Sequence, residues 1–383
     1  MTAPLDGVVV ADFSRVLAGP LATMTLADLG ARVIKIERPG TGDDTRAWGP
    51  PYAESGMTTY FESANRGKES VTLDLADASD RERAHAIIAR SDVVVENFRP
   101  GLFARMGFDW ETLSGRHPGL VYASISGFGL GEGATLPGYD FVAQAVGGLM
   151  HITGERDGEA VKAGVALVDV LTGKDAVIGI LAALRRRERT GRGSRVDVNL
   201  LSSLQAALVN QVSAHLGAGV EPGRLGNRHP SIAPYEVLRC ADGPLAVACG
   251  NDAQFARMAA ELGRPGIAED PRFRRNPDRV AHREELVGAL EAALAADTAG
   301  SWAARLNRVG VAAGEVATIG GGIALAERLG LDPVRETLGA DGRRSRQIRP
   351  PVAWTPDIPA PAAAPPRLGE HDETVRAWLD APA

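Results

Sequence analysis

The sequence predicts an α/β protein: a large Rossmann-like open-sheet domain and a smaller α+β domain. Three observations carry this. Short apolar runs alternate with helical segments through the N-terminal third of the chain, the pattern of βαβ units and a parallel sheet. A Gly/Pro-rich stretch at 217–226 precedes a shift in composition. Of 383 residues, 44% are hydrophobic and 23% charged, which is ordinary for globular chains and unlike disordered or fibrous ones.

Gly7–Asp12 reads as a strand and Phe13–Gly19 as the loop after it. Pro20 stands where proline opens a helix and Gly30 where glycine closes one. Leu21, Met24, Leu26 and Leu29 supply helical spacing between them. Ala31–Glu37 is the next strand, stopped by Pro39 and Gly40. Strand, helix, strand is a βαβ unit. Ser70–Leu75, Asp92–Glu96 and Leu120–Ser126 are further strands, with a helix at Ser79–Ala89. Tyr139–Gly147 and Thr172–Arg189 read as helices, Arg195–Val198 as a strand, and Leu200–Leu216 as one more helix. Tyr235–Cys240 and Leu245–Gly250 flank Asp242-Gly243, a hairpin signature. Helical segments run on to Leu329, and Pro350–Pro366 is proline-rich and extended. Arg367–Trp378 is a short amphipathic end. The expected domains are 1–216 completed by 330–383, a linker at 217–226, and 227–329.

Several functions are excluded. The net charge of −6 argues against a nucleic-acid binder. Cys240 and Cys249 are the two cysteines, too few for a disulfide framework and not spaced for a metal, so no metal site is expected. The loop Ser14–Pro20 carries Gly19 alone, which does not fit a dinucleotide turn. Gly127, Gly129, Gly131 and Gly133 are spaced wrongly for one. No phosphate-cradling P-loop and no nucleophile elbow is present. No permanently bound cofactor is therefore expected. The start of the chain does not look like a signal peptide, and no apolar run approaches the roughly 20 residues of a membrane span. A cytoplasmic location is the expectation. Lysine is scarce, at Lys35, Lys68, Lys162 and Lys174.

Ligands of open α/β sheets gather beyond the carboxyl ends of the strands. The polar groups there are Arg15 to Ala18, Glu37-Arg38, Asn97-Phe98-Arg99 and Gly127–Gly129. Arg38 has the planar fork that grips phosphate; read by spacing alone, Glu37 and Arg38 are equally solvated loop charges. Asp169 lies in the apolar run Val165–Leu171. Burial makes a carboxylate's charge costly and shifts its pKa. By spacing it is either a structural acid near a helix start or a catalytic carboxylate.

Taken together, these segments resemble the class III CoA-transferase family, which also contains the α-methylacyl-CoA racemases. The matching stretches are Val16–Pro20, Leu29–Pro39, Asn65–Lys68, Val94–Gly101, Gly138–Asp140, Gly147–Met150 with Thr153-Gly154, and Asp169 with Thr172-Gly173. The resemblance implies that Asp169 is the nucleophile, working through an aspartyl anhydride and an aspartyl–CoA thioester. It implies CoA contacts at Val16, Ala18, Arg38, Leu73, Asn97, Phe98, Arg99, Arg105 and Tyr139. It further implies an interlocked homodimer, with an acyl-CoA and a small carboxylic acid as the partners of each site.

Gly250-Asn251 stands where relatives carry a mobile glycine-rich loop, although this chain reads Gly-Asn-Asp-Ala. The racemases place histidine where this chain has Tyr139, and tyrosine, with a reference pKa of about 10, is a poor acid/base near neutrality. A transferase is thereby favoured over α-proton exchange, with a non-catalytic acyl-CoA binding subunit and a CoA-dependent lyase or dehydratase as further alternatives. The stretch Glu37–Pro51 is similar to the branch that moves CoA between succinate and glutarate. A second carboxylate on the substrate needs a cation, for which Arg46 is the candidate, with Arg15 and His229 behind it.

Overall fold

The computed structural model describes residues 2–358 and 363–382. Residues 359–362 of the proline-rich stretch lie outside the described residues. The chain divides into two compact units. The first comprises Met1–Leu149, Lys162–Val220 and Asp332–Ala383; the second comprises Met150–Val161 and Glu221–Leu331. Residues 150–161 thus fall with the second unit, whereas the sequence grouped them with the first.

The first unit is built on six strands: β1 (Val9–Asp12), β2 (Arg32–Glu37), β3 (Lys68–Thr72), β4 (Val93–Glu96), β5 (Val121–Ser126) and β6 (Arg195–Asn199). Their order is β3-β2-β1-β4-β5-β6, and every pairing is parallel. Both faces are covered, and the central strands β1 and β4 are accordingly short, nearly unbroken apolar runs. Successive side chains point to opposite faces. Val10, Val33, Val93 and Val95 join one core with helices Ala18–Asp28 and Leu167–Thr190. Ala11, Ile34 and Val94 join the other with helix Ala78–Ala89 and Phe103, Phe108 and Val375. The edge strand β3 is closed by the C-terminal segment. Asp372 accepts from the Thr72 amide at 2.7 Å, and His371 Nδ1 accepts from the Ser70 amide at 3.2 Å, so the edge is not left open for another chain.

The second unit holds the antiparallel sheet β7 (Tyr235–Arg239), β8 (Pro244–Ala248) and β9 (Ala312–Glu315). Its core gathers Phe255, Met258, Leu286, Leu290, Trp302 and Leu306. Arg279 is fully buried there, donating to the Ala233 carbonyl at 2.6 Å and to Asp252 at 2.7 Å.

Four elements differ from the sequence expectation. The helix that carries Asp169 begins at Leu167, not Thr172, because a carboxylate distant in sequence caps it. The helix expected over Leu200–Leu216 breaks where Val209 turns to φ +26°, giving Leu200–Ala207 and Val209–Ala218. β9 is a small-residue strand within a stretch read as helical, and pairing with β8 overrides its weak propensity. The hairpin β10 (Val334–Leu338) and β11 (Arg344–Ile348) was not foreseen, its strands being rich in charge. Among the described residues no helix is long and apolar enough to cross a membrane.

Candidate active site

The strand order reverses between β1 and β4, so the loops leaving these two strands part and open a crevice. Asn97, just past β4, bridges it: its Oδ1 accepts from the Arg15 amide at 2.8 Å and its Nδ2 donates to the Arg15 carbonyl at 2.7 Å. The next residue, Val16, has φ +70°. A β-branched side chain in the left-handed region is strained by about 1–3 kcal/mol. The Val16 amide donates to the Asp43 carboxylate at 3.2 Å. Gly19 lets the following helix fold back, since a Cβ there would collide with the Ser14 side chain.

Beneath this loop lies a buried ionic network. Lys35 donates to Asp43 and to the Ser14 carbonyl, each at 2.9 Å. Lys68 donates to Asp12 at 3.0 Å, and to the Pro20 carbonyl and Asn65 Oδ1 at 2.9 Å. All four charged side chains of these two pairs are fully buried. An ammonium suits such a centre because its donors converge on separate acceptors from one compact charge. Burial opposes ionisation of Asp43, but Lys35 and the Thr45 donors outweigh it and bring its pKa down to about 2. Burial likewise depresses Lys68, with Asp12 holding it partly back, to about 8.

Above the network, at the ends of β1 to β4, is a cleft of about 180 Å³. Arg15, Arg38, Leu73, Asp74, Phe98 and Met106 contribute to its walls. Phe98 stacks on Phe103 at 5.2 Å, and the Arg15 guanidinium lies 5.4 Å from the Phe98 ring centre. Arg38 is exposed at the rim. Arg15 reaches Asp44 at 3.4 Å, and its Nε is buried without a hydrogen-bond partner. The cleft's apolar walls, lined also by Arg15, Arg38, Asp74 and the Asp43 that Lys35 already pairs, suit a ligand that has both an aromatic base and anionic groups for the two arginines.

Asp169 occupies the first turn of Leu167–Thr190 and is half-buried. That turn is capped from far along the chain. Asp140 accepts from the Val168 amide at 2.7 Å and the Asp169 amide at 3.2 Å. Gln144 donates to Asp140 at 2.6 Å and accepts from the Ala163 amide at 2.8 Å, tying down the approach to the helix. Burial raises the Asp169 pKa and the Asp140 charge adds to it, to about 7. Among the described residues no cation or donor pulls it back. Tyr60, edge-on to Trp48 at 5.1 Å, lies close enough that burial and then the Asp169 charge hold its phenol above the ordinary range. The helix that carries Asp169 packs directly on the start of the helix after the Val16 loop: a Cβ on Gly173 would come within 2.7 Å of the Ala18 carbonyl oxygen.

Arg38, Leu73 and Phe98 therefore share one cleft with Arg15, and Ala18, three residues on, meets the Asp169 helix at Gly173. Arg99 and Arg105 are exposed on the segment after β4. Tyr139 is exposed and immediately precedes Asp140. Arg46 has a different task. Its Nε and Nη2 bond the buried Glu37 at 2.8 and 2.6 Å, its Nη1 reaches the Pro366 carbonyl at 3.2 Å, and its plane covers Phe61 at 3.7 Å. Glu37 is correspondingly no solvated loop charge. Gly250 and Asn251 belong to the second unit, where Asn251 caps helix Asp252–Glu261 through the Gln254 amide at 2.9 Å and the Gly250 amide donates to Gln254 at 2.7 Å. His229, also in that unit, stacks on Tyr235 at 5.0 Å. Sequence reasoning missed the roles of Asp140, Gln144, Tyr60 and Asp43. For Lys35 a signal existed: one of four lysines, it sits between two isoleucines.

The sequence profile described as CoA-transferase family III matches residues 5–372. A succinate–glutarate CoA-transferase from Agrobacterium fabrum is 40% identical over 98% of this chain and 96% of its own length. An acetyl-CoA:oxalate CoA-transferase from Acetobacter aceti is 39% identical over 99% of this chain and 96% of its own. The crystal structure of a CaiB/BaiF family protein from Brucella suis has a TM-score of 0.88 and 40% identity, covering 99% of this chain and 100% of that one. The chain belongs to CoA-transferase family III and is a CoA-transferase.

Proposed function

We propose that the protein moves CoA from succinyl-CoA to a dicarboxylate such as glutarate, with Asp169 as nucleophile. The observation that carries this is the half-buried Asp169 carboxylate, free of any counter-cation among the described residues. A carboxylate so placed is more basic than usual, and hence a better nucleophile once ionised. One Asp169 oxygen attacks the thioester carbonyl, the C–S bond breaks, and a mixed anhydride and CoA thiolate result. The thiolate attacks the aspartyl carbonyl, releases the donor acid and leaves an enzyme thioester. The acceptor carboxylate attacks that thioester, giving a second anhydride and thiolate. The thiolate then takes the new acyl group and frees Asp169. No net proton is consumed.

Arg38 and Arg15 hold CoA phosphates at the cleft, Leu73 and Phe98 flank the base, and the Val16–Ala18 backbone guides the thioester toward Asp169. Arg99, Arg105 and Tyr139 complete the CoA contacts. Arg46, engaged with Glu37, is dropped as the carboxylate partner. The working unit is a homodimer; the exposed Tyr139, Phe141 and Val146 support this reading, and sedimentation of the purified protein tests it.

The functional test gives the enzyme succinyl-CoA with glutarate and a panel of other carboxylic acids, followed by mass spectrometry. Glutaryl-CoA formed by the wild type and not by Asp169→Ala is the expected result. Exchange of the acyl α-proton with deuterated water, with no acid accepting CoA, would overturn it in favour of a racemase.

A further inference from the structure

Two neighbouring strands converge on the loop after β1. Asn97, past β4, engages the Arg15 main chain at both its amide and its carbonyl. Asp43 accepts the Val16 amide, and Lys35 of β2 fixes Asp43 while also holding the Ser14 carbonyl. Between these two grips Val16 is kept at φ +70°, a conformation valine avoids when free. Strain of this kind persists only where the surroundings over-determine it. A primary amide is the short side chain that offers donor and acceptor in one plane, as a neighbouring strand would. Aspartate would lose the donor and alanine both.

We infer that Asn97 is a positioning residue: its bond pair with Arg15 holds Val16 in the left-handed conformation, and it does not itself touch CoA. The inference rests on the reading that the Val16–Ala18 backbone guides the thioester. It assigns Asn97 a role different from the CoA contact implied by resemblance, because both ends of its amide already face the chain.

The test is a double-mutant cycle with Val16→Gly, since glycine takes φ +70° without strain. In the wild-type background Asn97→Ala should lower kcat on the order of 10²-fold, as small misplacements do, with KM for the acyl-CoA little changed. In the Val16→Gly background the same substitution should cost under about threefold, a coupling that reveals the shared role. Asn97→Asp, which keeps one of the two bonds, should fall between and covers the case in which alanine fails to fold. Amide hydrogen exchange at Arg15 and Val16 should accelerate in Asn97→Ala, whatever acid the enzyme accepts. A raised acyl-CoA KM at unchanged kcat, with equal cost in both backgrounds, would make Asn97 a CoA contact and overturn the inference. Unchanged amide exchange would overturn it too. If the wild type transferred CoA to none of the acids while the exchange result held, the substrate reading would fail and the clamp would stand.

Discussion

Asp140 and Asp169 are bound to one another through the backbone: a single oxygen of Asp140 accepts the amides of Val168 and Asp169, at 2.7 and 3.2 Å. One carboxylate thus caps the helix that presents the other, as anions do at helix N-termini. The same placement sets a negative charge beside Asp169, on top of the burial that already discourages its ionisation.

Replacing Asp140 by Asn keeps an oxygen for the two amides and removes the charge. Burial, the larger cause, remains. The acidic limb of kcat/KM, which reports the free enzyme, should stand near the Asp169 value of about 7 in the wild type. In Asp140→Asn it should move to lower pH while staying above an ordinary aspartate's. A pH–rate profile checks this, and a limb that does not move means that Asp140 acts on the helix alone.

Asp169→Asn should abolish transfer, by about 10³-fold or more, as loss of a nucleophile does. Its effect on stability has the opposite sign. The folded pKa is raised from the ordinary 3.8 to about 7, so the folded chain holds that proton more tightly than the unfolded one. Stability from this site is full at low pH, declines as pH rises between these values, and stays reduced above them. The neutral amide of Asp169→Asn avoids that penalty. Tm of the variant should match the wild type near pH 4 and exceed it at pH 8; a lower Tm at pH 8 would mean that the ionised carboxylate is stabilised in the fold.

The sheet was legible because its central strands β1 and β4 are nearly unbroken apolar runs and short β-branched runs recur on either side of them, and each expected strand overlaps an observed one by several residues. The rule that ligands gather past strand ends pointed to Arg15, Arg38 and Phe98, which the fold brings to one cleft. Long-range partnerships were illegible. Asp140 lies 28 residues from the amide it caps, so the helix start was placed too late. Arg46 reads in sequence as the cation for a substrate carboxylate, yet its partners are Glu37 and a carbonyl 320 residues on. The β10–β11 hairpin is polar on most positions, and local periodicity of apolar residues cannot reveal it.

Arg46 and Arg38 should therefore separate stability from binding. Arg46→Ala strips the buried Glu37 of its guanidinium, and breaking a buried pair costs about 3–5 kcal/mol. Urea unfolding should register that loss, while KM for the acceptor acid stays put. Arg38→Ala removes an exposed side chain, so stability should hold, and KM for the acyl-CoA should rise about tenfold for one lost charged hydrogen bond. An acceptor KM that climbs in Arg46→Ala at full stability would return Arg46 to the substrate site.

Gly173 poses a contest between two terms of known sign. Alanine in a helix interior is favoured over glycine by about 1 kcal/mol. Here its Cβ would stand 2.7 Å from the Ala18 carbonyl oxygen, a backbone atom that has no rotamer to give way. Overpacking of this kind costs about 1–3 kcal/mol, so the two nearly cancel and Tm of Gly173→Ala should change by only a few degrees. Catalysis has no such compensation. Asp169 is one turn earlier on the same helix, and Ala18 opens the helix that follows the Val16 loop. If Asp169 is the nucleophile proposed above, forcing these helices apart moves it from the thioester, and kcat should drop on the order of 10²-fold. Parallel measurement of Tm and kcat decides the matter. A variant that gains stability at undiminished kcat would show that the close approach of the two helices is a packing feature without catalytic consequence.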